Sequence, residues 1–294
     1  MHRKTLVPIV LLSLLVPACG STAAIPGDEP GGEESDRQDP GVAVEEPEES
    51  ADGAELGEGA AGLAGARSNI IEEITERTVR NPGECSSIES VSSPVRAGKV
   101  AYKHVIKNCG KRSEFEQRRV ANGGTYWYGF SLRHERTPAV PNNKFTVLTQ
   151  WFIGGRPARS WPCGGAGHKI GYRAGRMSFD LQHSTSGGDA ISCKQFVLSE
   201  DPLGKWVDVV MNAKWTSNTD GFLKLWVREA GGRWVQKINY TGRTQAVSDR
   251  GPYFKMGAYV GGEGSGDRLV YTDEYRLGNS NATFADVSPD GSTP

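Results

Sequence analysis

Nowhere in the 294 residues is there a Cys-x-x-Cys pair, and no histidines cluster at zinc-ligand spacing, so a sequence-legible zinc site is excluded. No apolar run is long enough to cross a bilayer; the best, Leu6 to Val16, is too short. The E-x-D-x-x-E triplet by which many retaining glycoside hydrolases bring two carboxylates about 5–5.5 Å apart is missing, which argues against that chemistry. Helical periodicity is nearly missing too, with only Asn69 to Val79 reading as a helix that leads into the folded part. Around Asn218-Thr219-Asp220-Gly221 the liganding carboxylates of an EF-hand are lacking. That segment is expected to be a hairpin turn; no metal or cofactor is expected, and a structural calcium ion has no support in the sequence.

The two ends are informative. Arg3 and Lys4 followed by the short apolar run form a signal peptide, and Val16-Pro17-Ala18-Cys19 resembles a bacterial lipobox, which would make Cys19 the lipid-modified first residue after cleavage. Residues 1–19 are therefore expected to be a lipoprotein signal peptide. The protein would be an exported bacterial lipoprotein anchored at the cell surface or in the periplasm, touching the membrane only through its lipid; cleavage without lipidation would leave it freely secreted. Residues 20–66 are rich in Gly, Glu, Pro, Ala and Asp with hardly an aromatic side chain, so they cannot bury enough surface to offset the entropy of ordering. They are expected to be a disordered acidic tether with a reach of about 35–40 Å. Residues 281–294 are expected to be a flexible tail.

Charge divides the same way: residues 1–65 hold 3 Lys+Arg against 13 Asp+Glu, and residues 66–294 hold 31 against 22. A near-neutral whole thus conceals a basic domain, which suits an anionic partner. Export argues against nucleic acid and leaves acidic polysaccharide or membrane. Besides Cys19 there are four cysteines, and an even number in an oxidising compartment reads as two disulfides. Three connectivities are open, and the neighbours in sequence, Cys85 with Cys109 and Cys163 with Cys193, are preferred.

Residues 67–280 fit one all-β domain. Short alternating runs separated by turn residues occur at Lys99 to Ile106, Arg112 to Val120, Thr125 to Arg133, Phe145 to Phe152, Arg176 to His183, Trp206 to Trp215, Phe222 to Arg228, Tyr253 to Val260 and Leu269 to Leu277. This spacing predicts a jelly roll or sandwich of two antiparallel sheets. Period-two parity puts Phe254, Met256, Ala258 and Val260 on the core side and Tyr253, Lys255, Gly257 and Tyr259 on the other. It likewise groups Arg112, Glu114, Glu116 and Arg118 on one face, and turns Lys224, Trp226 and Arg228 away from the core.

Three segments carry a family resemblance. Tyr253-Phe254-Lys255-Met256-Gly257-Ala258-Tyr259 resembles the Y-F-K-A-G-x-Y strand of alginate lyases and heparin-lyase-I-like enzymes, and Arg112-Ser113-Glu114-Phe115-Glu116 resembles their R-[ST]-E-L-R strand. Tyr126-Trp127-Tyr128-Gly129-Phe130-Ser131 is similar to a motif of the heparin lyase I and glucuronan lyase branch. The resemblance covers about residues 80–278. It implies a concanavalin-A-like jelly roll whose concave sheet binds sugars, and a monomeric lyase that cleaves an anionic, uronate-containing polysaccharide by β-elimination.

That reaction needs the uronate carboxylate neutralised, a base for the C5 proton and an acid for the leaving O4. The resemblance assigns Arg112 and Gln150 to the carboxylate and Tyr259 to proton transfer; Lys255, Glu114, Arg118 and Trp226 would bind substrate. Relatives commonly carry Q-x-H where this chain has Gln150-Trp151-Phe152, so Phe152 stands at the catalytic histidine's position and cannot exchange a proton. Of the remaining histidines, His104 is the expected substitute. If Lys107 to Lys111 is a hairpin loop, Ile106 pairs with Arg112 and His104 with Glu114, on the face that carries Arg112. His168, in the Gly-rich stretch Gly154 to Gly175, could reach the cleft from a loop. A non-catalytic, lectin-like protein on the same fold is the alternative.

Overall fold

The computed structural model describes residues 68–74, 79–137, 145–154, 161–165, 167–261 and 266–294. The expected signal peptide, lipobox and tether lie outside the described residues. Fifteen strands are present: β1 Ile70–Glu73, β2 Val79–Pro82, β3 Ser86–Val91, β4 Ala101–Ile106, β5 Arg112–Arg119, β6 Thr125–His134, β7 Thr146–Phe152, β8 Gly167–Arg173, β9 Arg176–Ser184, β10 Ile191–Glu200, β11 Val207–Lys214, β12 Phe222–Glu229, β13 Val235–Thr241, β14 Tyr253–Tyr259 and β15 Arg268–Gly278. They form two antiparallel sheets. One has eight strands, in the order β13-β12-β11-β6-β15-β4-β3 with β1 also on β15, and the other has seven, in the order β10-β9-β8-β7-β14-β5-β2.

All nine expected strands form. The helix expected over Asn69 to Val79 does not: β1 pairs with β15, and β2 pairs with β5. Apolar residues spaced as on a helix here serve a sheet edge, because neighbouring strands offer backbone hydrogen bonds that local propensity cannot outweigh. β8 runs through the expected Gly-rich loop. Its His168, Ile170 and Tyr172 face inward as a two-residue period requires, despite two glycines within it.

The sheets enclose an aromatic core centred on Trp151, whose ring lies 4.9 Å from Phe254, 5.5 Å from Phe179 and 5.7 Å from Tyr128. Val209, Met211, Ala213 and Trp215 enter it from β11, and Phe254, Met256 and Ala258 from β14, as parity predicts. Burying a Trp or Phe here contributes about 2–3 kcal/mol in transfer free energy alone. Both preferred disulfides are present: Cys85–Cys109, with Cα atoms 5.7 Å apart, ties the ends of the β3–β4 pair, and Cys163–Cys193, at 6.0 Å, ties the 161–165 loop to β10.

The C-terminal residues correct two expectations. Instead of forming a flexible tail, residues 281–294 pack on the outer face of the eight-stranded sheet, where Phe284–Val287 form a short helix capped by Thr283 and Asp286. Gly129 is required beneath it, since a Cβ there would overlap the Val287 carbonyl. Trp226 lies under this cover, stacked 6.3 Å from Trp127 and edge-on to Phe284 at 5.4 Å. It does point away from the core, but on the sheet opposite the candidate site, so it cannot bind the same sugar. Asp208 is fully buried nearby, held by Arg96 at 2.7 Å and Arg228 at 2.6 Å, and Arg228 in turn reaches Asp290 at 2.8 Å. This network fastens the segment down.

Candidate active site

β14 lies between β5 and β7, and its register decides which side chains meet. Tyr259 is opposite Arg112, Gly257 opposite Glu114, and Lys255 opposite both Glu116 and Gln150. Five of the residues expected in the site, Arg112, Glu114, Gln150, Lys255 and Tyr259, thus share the outer face of three adjacent strands in the seven-stranded sheet. Directly opposed pairs have Cβ atoms about 4.5–5.5 Å apart, close enough for one sugar ring to touch several of them. Arg118 follows on β5, exposed, with its backbone N–H donating to Glu72 at 3.0 Å.

Lys255 is nearly buried; its Nζ is 2.9 Å from Glu116 Oε1 and sits over two rings, Phe152 at 5.1 Å and Tyr253 at 5.2 Å. Burial alone would lower its pKa, but Glu114, Tyr253 and Glu116 together raise it, so the ammonium stays charged. Glu114 is only 2% exposed and accepts a hydrogen bond from Gln150 Nε2 at 2.6 Å, while its second oxygen is buried without a protein partner. Desolvation pushes its carboxyl up to about 7 despite Lys255, Gln150 and Arg112, which act to lower it. At neutral pH this carboxyl is therefore only partly ionised, unlike an exposed glutamate.

The polar row continues across strands that the sequence reading did not use. Lys169 on β8 is opposite Gln150, Asp180 on β9 opposite Lys169, and Gln195 on β10 opposite Asp180. Lys169 Nζ is 3.4 Å from Asp180, and it also donates to the carbonyls of Cys163 and Gly164, so the disulfide-tied loop is pinned beside the row. Strict alternation in Gly167–Arg173 was the available signal, obscured by its glycines. Tyr253 is a second residue missed: the motif names it, but only the fold shows it pressed between Lys255 and Arg119, whose guanidinium is 4.8 Å from its ring.

The histidines are a correction. The expected β4–β5 hairpin does not exist, because β4 pairs with β3 and β15 in the other sheet. His104 consequently points between the sheets, fully buried, with Nδ1 2.9 Å from the Ser113 carbonyl and Nε2 2.9 Å from Thr272 Oγ1. It packs edge-on against Phe115, on the side of β5 opposite Glu114. Gly257 is needed where this ring approaches: its φ is +144°, and a Cβ would run into the Ser113 carbonyl and His104. His168 is buried in the core rather than in a loop, stacked 4.8 Å from Trp215, and burial pushes its pKa down to about 3. His134 is lowered to about 3 for the same reason, with Arg268 adding to it. His183 is buried beside Tyr240. Among the described residues no histidine shares the face of Tyr259. Phe152 does share it, two residues beyond Gln150, with its ring 5.3 Å from Tyr253.

This face can neutralise a carboxylate, hydrogen-bond its oxygens and offer a phenol for proton transfer. A family model described as polysaccharide lyase matches residues 66–276. Among solved structures, the endo-β-1,4-glucuronan lyase of the fungus Trichoderma reesei is similar, with a TM-score of 0.60 and 23% identity over 73% of this chain and 95% of that one. The PL-14 alginate lyase of Aplysia kurodai follows with a TM-score of 0.45 and 12% identity, over 66% and 87%. The catalytic domain of a glycoside hydrolase family 131 protein from Coprinopsis cinerea has a TM-score of 0.46 and 12% identity, over 70% and 82%. No curated protein sequence matches the chain.

Proposed function

We propose, given that this chain belongs to the polysaccharide lyase family, that it cleaves a uronate-containing polysaccharide by β-elimination on the outer face of the seven-stranded sheet. The observation that carries this reading is the register that sets Tyr259 opposite Arg112, one same-face step from Glu114, whose carboxyl accepts from the amide of Gln150.

In the proposed mechanism Arg112 forms a bidentate contact with the uronate carboxylate, and the Gln150 amide hydrogen-bonds the charge that develops on it as the C5–H bond breaks. Glu114, its carboxyl raised to about 7, repels an approaching substrate carboxylate less than an ordinary glutamate would. With no histidine on the face among the described residues, Tyr259 does both proton transfers. Its phenolate removes the C5 proton, the electron pair forms the C4–C5 double bond, and the C4–O4 bond breaks. The phenol then returns that proton to O4, which restores the phenolate and balances the cycle. Lys255, kept cationic by its acidic neighbours, binds a further anionic group.

Uronate as the substrate is supported by the basic balance of residues 66–294 and by the face's carboxylate-binding groups. The name of the fungal structure makes glucuronan the first polymer to test. The purified protein should be incubated with glucuronan, alginate, heparin and chondroitin sulfate, and the 4,5-unsaturated uronate chromophore followed. Absorbance on at least one substrate is expected; binding without absorbance would indicate a lectin-like protein instead. The two disulfides and the lyase family suit an exported protein. Anchoring through Cys19 is proposed on the lipobox pattern.

A further inference from the structure

Where β5 ends and the 249–251 loop enters β14, the surface holds a cleft of about 640 Å³ whose lining includes Arg118, Arg119, Asn122, Tyr126, Asp249 and Arg250. Three arginines line it with one carboxylate, Asp249, and the carboxylate of Glu72 stands beside Arg118, accepting from its backbone N–H at 3.0 Å. Arg119 is fastened in place, its Nη1 donating to the Gly251 carbonyl at 2.7 Å and to the Ile153 carbonyl at 3.3 Å. Arg118 and Arg250 are exposed.

The cleft, which Ile71 and Tyr126 of the eight-stranded sheet also line, adjoins the candidate site through Arg119. Arg119 lies against the Tyr253 ring, and Lys255 lies 5.2 Å from the same ring. Yet it is far from the reacting groups: Arg119 is opposite Tyr253 and Arg112 opposite Tyr259, so seven residues of strand, about 23 Å, separate the two ends. Such a distance exceeds the reach of a single sugar but not of an extended polymer.

We infer that this cleft is a distal subsite for the acidic polysaccharide, in which Arg118 and Arg250 clamp a carboxylate of the chain several sugars away from the bond cleaved at Tyr259. Arginine suits this role because its planar donor fork matches a carboxylate bidentately. The inference rests on the proposed lyase reading, and makes the enzyme one that prefers long chains.

The test compares the parent, an Arg250→Ala variant and a Lys237→Ala control, which removes an exposed charge from the other sheet. Arg119 is left unchanged because it ties two backbone segments. Kinetics on glucuronan polymer and on its trisaccharide should show KM for the polymer rising about tenfold in the Arg250→Ala variant, as loss of a charge-assisted contact predicts. Its kcat should stay within about twofold, its KM for the trisaccharide should not move, and the control should match the parent on both substrates. An unchanged polymer KM, or an equal rise on polymer and trisaccharide, overturns the subsite. Should the parent cut none of the polymers, the lyase reading fails separately, and the cleft is then judged by electrophoresis through gels containing glucuronan. Retardation of the parent that the Arg250→Ala variant loses supports the subsite; equal retardation, or none for the parent, overturns it.

Discussion

Replacing Glu114 by Gln should make the protein more stable at alkaline pH than its parent. The side chain is 2% exposed and its carboxyl is raised from an ordinary 4.5 to about 7. Below pH 4.5 it is protonated in the folded and unfolded chain alike. Between 4.5 and 7 the unfolded chain has released the proton while the folded one still holds it, so stability falls as pH rises and levels off above 7. The shift corresponds to about 3 kcal/mol in all. Glutamine keeps the oxygen that accepts from Gln150 but carries no charge to desolvate, and Lys255 retains Glu116 as its partner. Urea unfolding of parent and variant at half-unit steps from pH 4.5 to 8.5 reads the difference directly. His134 and His168, held neutral, act in the opposite direction, their contribution being lost as pH falls from 6.5 toward 3; subtracting the two profiles cancels them. The variant's advantage should grow by about 3 kcal/mol across the range. Parallel profiles, or a parent that gains on the variant as pH rises, would show that Glu114 is a stably charged partner and refute the burial argument.

Tyr259→Phe should abolish the unsaturated product while retaining much of the affinity for substrate, since it removes only the proton-transfer group; substantial residual elimination would take Tyr259 out of the mechanism. Arg112→Ala should raise KM and lower kcat together, and unchanged kinetics would reduce Arg112 to an ordinary surface cation. His104→Gln should cost about 1–3 kcal/mol of stability, because it disturbs buried contacts with Ser113 and Thr272. Its turnover below the melting transition should stay within a few-fold of the parent, whereas a loss of 10²–10⁴ would be the mark of a general acid or base. Cys19→Ser should release the protein from the membrane fraction into the soluble fraction; an unchanged distribution would argue against lipid anchoring.

By itself the sequence determined the alternation of inward and outward side chains, and with it the all-β class, nine strands and the grouping of Lys255 with Tyr259 and of Arg112 with Glu114. These follow from a two-residue period that acts locally along each strand. The sequence left three disulfide connectivities open, and the fold has the preferred pairing of sequence neighbours. Which strands lie side by side is a different matter, because hydrogen bonds between strands carry no residue identity and are chosen by how two whole sheets close over one core. That is why the tempting β4–β5 hairpin was wrong: β4 belongs to the other sheet, and His104 turned from a candidate base into a wedge between the layers. Trp226 was read on the correct side of its strand but on the wrong sheet, and only the packing of Phe284 shows what covers it. Tertiary structure alone likewise decided the raised pKa of Glu114, since desolvation depends on what surrounds a carboxyl in space and leaves no trace in its neighbours along the chain.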